Sequence, residues 1–362
     1  MIRPDVLAGY LLEEFIASLI QSSGYRLLVQ KSQDRFDLKE SPRTGDLLVR
    51  GRGGDHQVDV LGEFSIVPAF SQPLRLFVEA KARGQRVGLP ALRNAVGTLN
   101  DVNEAWMVGY SKNRVRRLYR YGLFSTSGFS APAQDYALAH QINIVDLSGP
   151  EWSDFVSMVM ASAEELVRVA SRHVDRFPIR SLRRDLRLEL GTMPRDATIN
   201  LYEDDLGGFD IQDSVMTLKT RFGEVVNGAL LAFPAGHQVL LVRPDNLEMF
   251  LAFAIQNPTH RVSLSVDRRH EGELSRTWVI RPIGEGRERY SLRLTLPTSV
   301  EKIALAETDR LAQSLAAKGE LGGHLDIYWD PHGQERFQMR GPRLFRLRFA
   351  GSDLRQRRPD LT

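Results

Sequence analysis

Two short apolar segments of this chain carry acidic residues where buried strands are expected. The letters GDHQVDV cover residues 54–60 and VEAK covers residues 78–81, so Glu79 follows Asp59 by 20 positions (79 − 59). Side chains on a strand alternate between its two faces, and Glu79 and Lys81 therefore project to the same side. If the two segments pair as neighbouring strands, Asp59 joins them on that side.

Two carboxylates and an ammonium on one sheet face are costly to bury unless a cation holds the carboxylates. In the functional interpretation, Asp59 and Glu79 bind one or two Mg²⁺ ions, and the Ala80 carbonyl completes the shell. Such an ion polarises a phosphodiester and activates a water, while Lys81 orients that water or stabilises developing charge. The alternative is an edge strand with a Glu–Lys pair on a solvated face, and spacing alone leaves both open.

Composition limits the ions and the setting that we expect. The chain has 362 residues, is 42% hydrophobic and lacks cysteine, so thiolate metal sites are excluded. Oxygen or imidazole ligands favour hard ions such as Mg²⁺ or Mn²⁺. The net charge of +3 is compatible with a polyanionic partner without implying one. We expect a soluble, cytoplasmic protein without membrane contact, because we find neither a signal-peptide pattern nor an apolar stretch of roughly 20 residues.

Periodicity divides the chain into two predicted regions. In residues 1–175, helical and strand patterns alternate, which favours an α/β domain with a mixed central sheet flanked by helices. Residues 176–187, which carry five basic residues, are interpreted as a linker or domain edge. Residues 176–362 are predicted to form a β-rich α+β domain, with one strong helix over residues 298–318. A helix is predicted over residues 5–21. Strands are predicted at residues 25–30, 58–64, 74–82, 105–110, 122–127, 142–147, 238–243, 261–266, 277–281, 290–296, 325–329, 336–340 and 344–349, with a turn at 330–333.

Four segments of the chain follow one another in the order of a known family pattern. They are GYLLE at 9–13 before Gly24 and Tyr25, then GDHQVDV, then VEAK, then GLFSTSGFS at 122–130 with INIVD at 142–146. Together they resemble the Mrr-like branch of the PD-(D/E)XK nuclease superfamily, the restriction-endonuclease-like fold, over most of residues 5–165. The resemblance implies a metal-dependent endonuclease that hydrolyses DNA with Mg²⁺ or Mn²⁺ in restriction or another anti-phage role. Gln57 departs from it, because the family pattern usually has glycine there, and so do roughly 15–20 extra residues before Gly122.

The remaining candidate site residues are Glu13, Gln57 and His56, and each is proposed for a different reason. Helix geometry does not separate Glu13 from Glu14, which fall at opposite edges of the apolar face at about 100° per residue. The resemblance selects Glu13 as an additional metal ligand; the alternative is that both glutamates are solvated. Gln57 is a catalytic candidate, because it shares a face with Asp59 if the strand has begun. His56 is either a base or phosphate contact, or a polar loop residue.

A basic stretch before the predicted strand at 122–127 is the candidate nucleic-acid contact. Arg114, Arg116, Arg117 and Arg120 occur there together with Tyr119 and Tyr121, as cations and aromatic residues do in nucleic-acid-binding segments. The alternative is a solvated helix. We expect DNA as the partner and a homodimer as plausible on two-fold DNA. The second region would add target recognition, a protein partner or a ligand. The alternative function is a catalytically inactive nucleic-acid-binding or ligand-sensing protein, since a fold does not guarantee activity.

Overall fold

The chain begins with a long helix and continues with alternating strands and helices. The structure, a computed structural model, describes residues 1–42, 44–67, 69–82, 84–107, 114–194, 206, 208–226, 228–235, 239–267, 277–284, 290–307, 309–330 and 341–351. The helices of these residues are α1 (Pro4–Ser22), α2 (Leu89–Glu104), α3 (Ala131–Ala139), α4 (Ser153–Ala170), α5 (Ile179–Leu190), α6 (Ile211–Val226), α7 (Leu247–Gln256), α8 (Thr298–Leu305) and α9 (Arg310–Glu320).

The strands fall into two groups, before and after α6. The first group comprises β1 (Tyr25–Leu27), β2 (Leu38–Glu40), β3 (Leu47–Arg50), β4 (Asp55–Gln57), β5 (Val60–Phe64), β6 (Leu74–Lys81), β7 (Leu118–Ser125) and β8 (Asn143–Asp146). The second group comprises β9 (Leu230–Pro234), β10 (Leu240–Pro244), β11 (Thr259–Val266), β12 (Thr277–Pro282), β13 (Leu292–Thr295), β14 (His324–Trp329) and β15 (Arg343–Phe349).

A five-stranded mixed sheet with the order β1-β5-β6-β7-β8 lies at the centre of the first group. Strand β5 runs antiparallel to β1 and β6, whereas β6, β7 and β8 are parallel. The predicted mixed α/β character is therefore confirmed. Strand β6 has neighbours on both sides, so the alternative that the VEAK segment is an edge strand is wrong.

Apolar cores cover both faces of this sheet. One core packs the sheet against α1, α4, α5 and α6. The opposite core packs it against α2, α3 and a small sheet of β2, β3 and β4. Along β6 the side chains alternate as a strand requires, with Val78 in the first core and Phe77 in the second. Glu79 and Lys81 continue the face of Phe77 at the end of the strand.

The second group of strands closes into a seven-stranded barrel with the order β10-β13-β12-β11-β15-β14-β9. Its interior is filled by alternate apolar side chains, including the fully buried Trp278 and Phe345. Helices α7, α8 and α9 contribute to the same core through residues such as Phe250 and Val300. The predicted β-rich character of the second region is confirmed.

The barrel packs against the first half of the chain. The ring of Tyr328 meets that of Phe64 edge-on, with centroids 5.0 Å apart. The backbone N–H of Asp330 donates to the carbonyl of Ser22 at 2.8 Å. The barrel is therefore in direct contact with α1 and the central sheet.

Residues 176–187 do not form a linker. Most of them belong to helix α5, whose Leu182 and Leu186 are completely buried. The interpretation as a linker was wrong because leucines at helical spacing lie among the arginines, and basic composition hid that pattern. The first core continues through α5 and α6 to Leu241, so it extends past residue 175, and the predicted division into two domains stays a prediction.

Other differences concern helices in the second region and one short strand. Helices α6 and α7 and strand β9 were not predicted. The predicted helix over 298–318 is two helices, because the Asp309 side chain caps α9 by accepting from Ala312 N–H at 2.9 Å. Residues 105–107 form a 3₁₀ turn and not a strand. Residues 108–110, the predicted strand at 336–340 and residues 331–333 of the predicted turn lie outside the described residues.

Gly62 tests the close packing of α1 on the sheet. A Cβ added there would lie 2.9 Å from Ile20 Cγ2 and 3.1 Å from Tyr25 Cβ, so we expect Gly62→Ala to lower the free energy of unfolding by about 1–3 kcal/mol. The control is Gly97→Ala on α2, where an added Cβ meets nothing within 4 Å; it should stabilise by up to about 1 kcal/mol. Urea unfolding measures both, and equal stabilities would contradict this packing.

Candidate active site

The two acidic segments meet at one end of the β5–β6 pair. The antiparallel register places Val60 opposite Val78, so Asp59 lies just before β5 and beside the end of β6. The Oδ2 atom of Asp59 accepts a hydrogen bond from the Ala80 backbone N–H at 2.8 Å. This contact ties the start of β5 to the end of β6 and brings the Asp59 carboxylate to Glu79 and Lys81.

Glu79 is held from two directions. Its Oε2 accepts a hydrogen bond from the Tyr121 hydroxyl at 2.6 Å, and its Oε1 forms an ion pair with Lys81 Nζ. The side chains of Glu79 and Lys81 are 21% and 19% exposed, so they do not lie on a solvated face. Burial, with the charge of Glu79 next to it, raises the pKa of Tyr121, which keeps that hydroxyl a donor.

Helix α1 brings Glu13 towards the same corner. The Oε2 of Glu13 accepts a hydrogen bond from Arg183 Nη2 at 2.5 Å. Burial raises the pKa of Glu13 to about 8, and the nearby Asp59 carboxylate adds to that rise, while Arg183 opposes it. Burial also raises the pKa of Asp59, with Glu79 adding to it and the Ala80 N–H and Lys81 opposing it. The corner thus holds carboxylates that disfavour one another's charge.

Glu14, the neighbouring residue, has a different environment. Its side chain is completely buried and accepts from Arg183 Nε at 2.7 Å and from Arg187 Nε at 2.8 Å. The guanidinium groups of Arg187 and Arg183 hold its pKa below the usual range despite its burial. Glu14 therefore fastens α5 to α1, and the alternative that both glutamates are solvated is wrong.

The donor chemistry of the corner suits a hard cation. Among the residues that the structure describes, no group of three or more His, Cys, Asp or Glu is arranged to hold a metal ion. Glu13 pairs with Arg183, and Glu79 contacts Lys81 and Tyr121. Burial, with the charge of Glu79 adding to it, nevertheless raises the pKa of Asp59, which indicates that the cations of the chain do not fully compensate this acid. The carboxylate oxygens of Asp59 and Glu79 are of the type that Mg²⁺ and Mn²⁺ prefer.

Gln57 lies in a different sheet from the corner. It belongs to β4, where it pairs with Leu48 of β3 and is exposed. The chain leaves that sheet at residues 58–59 before β5 begins, so the premise that Gln57 and Asp59 share a strand is wrong. Its catalytic role stays a prediction without the geometric argument.

His56 holds the glycine-rich turn against helix α2. Its Nε2 lies 2.7 Å from Asp101 Oδ2, and Asp101 Oδ1 also accepts from the Gly53 N–H at 2.7 Å. These contacts favour the interpretation of His56 as a polar loop residue with a structural partner. Asp55, the other acid of the motif, pairs with Lys39 at 2.5 Å.

The basic stretch lies against a buried acidic cluster. Residues 114–117 do not form a helix, so the alternative of a solvated helix is wrong. Arg117 Nη1 lies 2.9 Å from Asp34 Oδ2, and Arg114 Nη2 lies 2.9 Å from Asp37 Oδ1. Arg75, which is completely buried, pairs with the same two aspartates at 2.7 and 3.2 Å. Arg114 and Arg117 thus complete the neutralisation of this cluster.

The other two arginines of the stretch have weaker contacts. The guanidinium of Arg116 lies 5.9 Å from the ring centroid of Trp106, and Arg120 Nη1 donates to Gln141 Oε1 at 2.9 Å. Arg116 is exposed and Arg120 is half-buried. Nucleic-acid binding by the four arginines stays a prediction, and the geometry favours Arg116.

Two residues of the corner were not predicted from the sequence. Tyr121 reaches Glu79 because β7 pairs with β6 in parallel register, with Phe77 opposite Tyr121. Arg183 reaches Glu13 from α5. A signal for Arg183 existed in the helical spacing of Leu182 and Leu186 beside it.

Substitutions of Arg117 and Arg116 test whether Arg117 stabilises the buried acidic cluster. We expect Arg117→Met to lower the free energy of unfolding by about 1–3 kcal/mol, because it leaves buried carboxylates short of a partner. Arg116→Met is the matched control and should change it by no more than about 0.5 kcal/mol. Chemical denaturation measures both, and equal small effects would show that Arg117 does not stabilise the acidic cluster.

The raised pKa of Glu13 predicts that the free energy of unfolding depends on pH. Its pKa in the folded protein is raised from 4.5 to about 8, so the folded state binds this proton more tightly than the unfolded state. The stabilisation is complete below about pH 4.5 and is lost as the pH rises through about 8. We expect Glu13→Gln to flatten this decline in urea unfolding with EDTA present. Asp5→Asn, at an exposed position on the same helix, should keep the wild-type slope; an unchanged slope in Glu13→Gln would contradict the assignment.

Comparisons with known proteins add little to this geometry. No protein-family model matches the sequence, and no curated protein is significantly similar to it. A crystal structure described as that of a protein of unknown function, AF1548, matches 60% of this chain and 98% of that chain, with 14% identity and a TM-score of 0.32. A likeness at that TM-score supports no conclusion about fold or function. Of the helices in the described residues, none is long and apolar enough to cross a membrane.

Proposed function

We propose that this protein is a divalent-metal-dependent endonuclease that hydrolyses DNA phosphodiester bonds in the cytoplasm, in a restriction-type or other anti-phage role. The observation that carries the proposal is the hydrogen bond from Ala80 N–H to Asp59, which holds that carboxylate beside Glu79 and Lys81. The resemblance of residues 5–165 to Mrr-like nucleases supplies the reaction and the substrate class.

Each residue of the corner has a role in this proposal. Asp59 and Glu79, with the Ala80 carbonyl, would hold Mg²⁺ or Mn²⁺, and Glu13 would act as an additional ligand, directly or through water. A bound ion supplies Lewis acidity towards the phosphodiester and towards a water. Lys81, which Glu79 already orients, places its ammonium where charge develops on the phosphate.

The other parts of the chain would bind the DNA and select the target. Arg116 is the member of the basic stretch best placed to contact phosphate, because Arg114 and Arg117 pair with buried aspartates. The barrel would contribute target recognition, or bind a partner or ligand. A homodimer would match the symmetry of duplex DNA.

A second candidate function is a catalytically inactive nucleic-acid-binding protein. The observation that favours it is that Glu13 and Glu79 are already paired with cations of the chain itself. In that case the corner is a structural ion cluster and the second region carries the function.

Plasmid cleavage tests the two candidates. We expect cleavage to need Mg²⁺ or Mn²⁺ and to fall by at least about 100-fold in Asp59→Asn and in Lys81→Met, because both act on charge in the transition state. Asp55→Asn, which removes a nearby carboxylate outside the corner, should retain cleavage. Cleavage that survives both substitutions would refute the assignment. DNA binding with a steep salt dependence and no cleavage would favour the inactive protein.

A further inference from the structure

A cation of the chain itself already lies among the carboxylates of the candidate site. Arg183 Nη2 donates to Glu13 at 2.5 Å and Arg183 Nε donates to Glu14 at 2.7 Å. Its guanidinium lies 4.6 Å from the ring centroid of Tyr10, and the side chain is 17% exposed.

The two contacts of Arg183 differ in how replaceable they are. Glu14 has a second guanidinium partner in Arg187, one helical turn later, at 2.8 Å. Glu13 has its ion pair with Arg183, and Arg187 acts on it only from farther away. If Arg183 released Glu13, α5 would therefore stay attached to α1 through Glu14. If the arginines released Glu14, a completely buried carboxylate would be left without partners.

We propose that Arg183 is a positioning residue that acts through Glu13: it holds this carboxylate in the metal-free protein and competes with a divalent cation for it. The inference rests on the proposed metal site. A guanidinium and a divalent ion are alternative partners for the same oxygens, and an ion that takes Glu13 must displace Arg183. The two interactions are linked: the ion pair weakens metal binding by the same factor by which a bound ion weakens the ion pair.

This competition gives α5 a role in setting the affinity of the site. Arg183 pairs with Glu13 when no ion is bound. Its Nη2 group becomes free when Glu13 turns to an ion. Metal occupancy is thereby coupled to the contact between α1 and α5, at a position that lies 170 residues from Glu13 along the chain.

Titration calorimetry with Mn²⁺ on the full chain, stripped of metal, tests the proposal. We expect Arg183→Met to bind Mn²⁺ at least about fivefold more tightly than the wild type, since the ion no longer displaces a guanidinium. Arg187→Met removes a guanidinium from the same helix but not from Glu13, and should stay within about twofold. Asp59→Asn should abolish binding in both backgrounds, which places the ion in the corner. A merely structural role for Arg183 would weaken metal binding or leave it unchanged.

The outcomes separate this inference from the proposed function. If the wild type binds Mn²⁺ through Asp59 and Arg183→Met binds it equally or less tightly, the competition is refuted and the metal site stands. If only Arg183→Met binds Mn²⁺, the competition is supported in its strongest form. If no variant binds Mn²⁺, both the metal site and the competition fail.

A second measurement uses the wild-type protein in case Arg183→Met does not fold. Phenylglyoxal modifies free guanidinium groups, and peptide mass spectrometry reports the rates at Arg183 and Arg187 separately. We expect saturating Mn²⁺ to raise the rate at Arg183 relative to Arg187. An unchanged ratio at saturation would overturn the competition.

Discussion

The complete burial of Glu14 is the constraint on which much of this structure depends. A carboxylate without contact to water must be paired with cations, or its burial becomes prohibitively costly. Its partners, Arg183 and Arg187, come from a helix 169 and 173 residues away along the chain. This pairing docks α5 on α1 and brings a guanidinium to Glu13, the residue next to Glu14.

The candidate site is then a balance of charges at one corner of the sheet. The hydrogen bond between Asp59 and Ala80 fixes one carboxylate, and Lys81 and Tyr121 fix another at Glu79. Burial keeps the pKa values of Glu13 and Asp59 high, because the cations of the chain do not fully compensate these acids. A divalent ion would supply the missing charge, and this is the physical basis for proposing a metal-dependent nuclease.

Local sequence patterns predicted the elements that place the corner. The apolar spacing over residues 5–21 predicted α1, and the patterns around Asp59 and Glu79 predicted the strands β5 and β6, whose pairing was a condition of the predicted site. These signals succeed because each depends on neighbouring residues. Gln57 was misplaced because the chain passes from one sheet to another at residues 58–59, and the apolar pattern runs on through that change.

Contacts between residues far apart in the chain could not be predicted from the sequence. Arg114 and Arg117 looked like a nucleic-acid surface because their acidic partners, Asp37 and Asp34, lie in a distant segment. The closure of the barrel depends on β9, whose pairing with β14 joins residues far apart in the chain. The nuclease family itself stays a prediction, since the comparisons with known proteins do not test it.

Anomalous scattering from a crystal soaked in Mn²⁺ tests the central claim most directly. We expect an anomalous peak about 2–2.5 Å from carboxylate oxygens of both Asp59 and Glu79, with Glu13 turned from Arg183 towards it. A map without a peak at this corner under saturating Mn²⁺, with Glu13 still on Arg183 and Glu79 still on Lys81, would contradict the claim that the corner is a metal site.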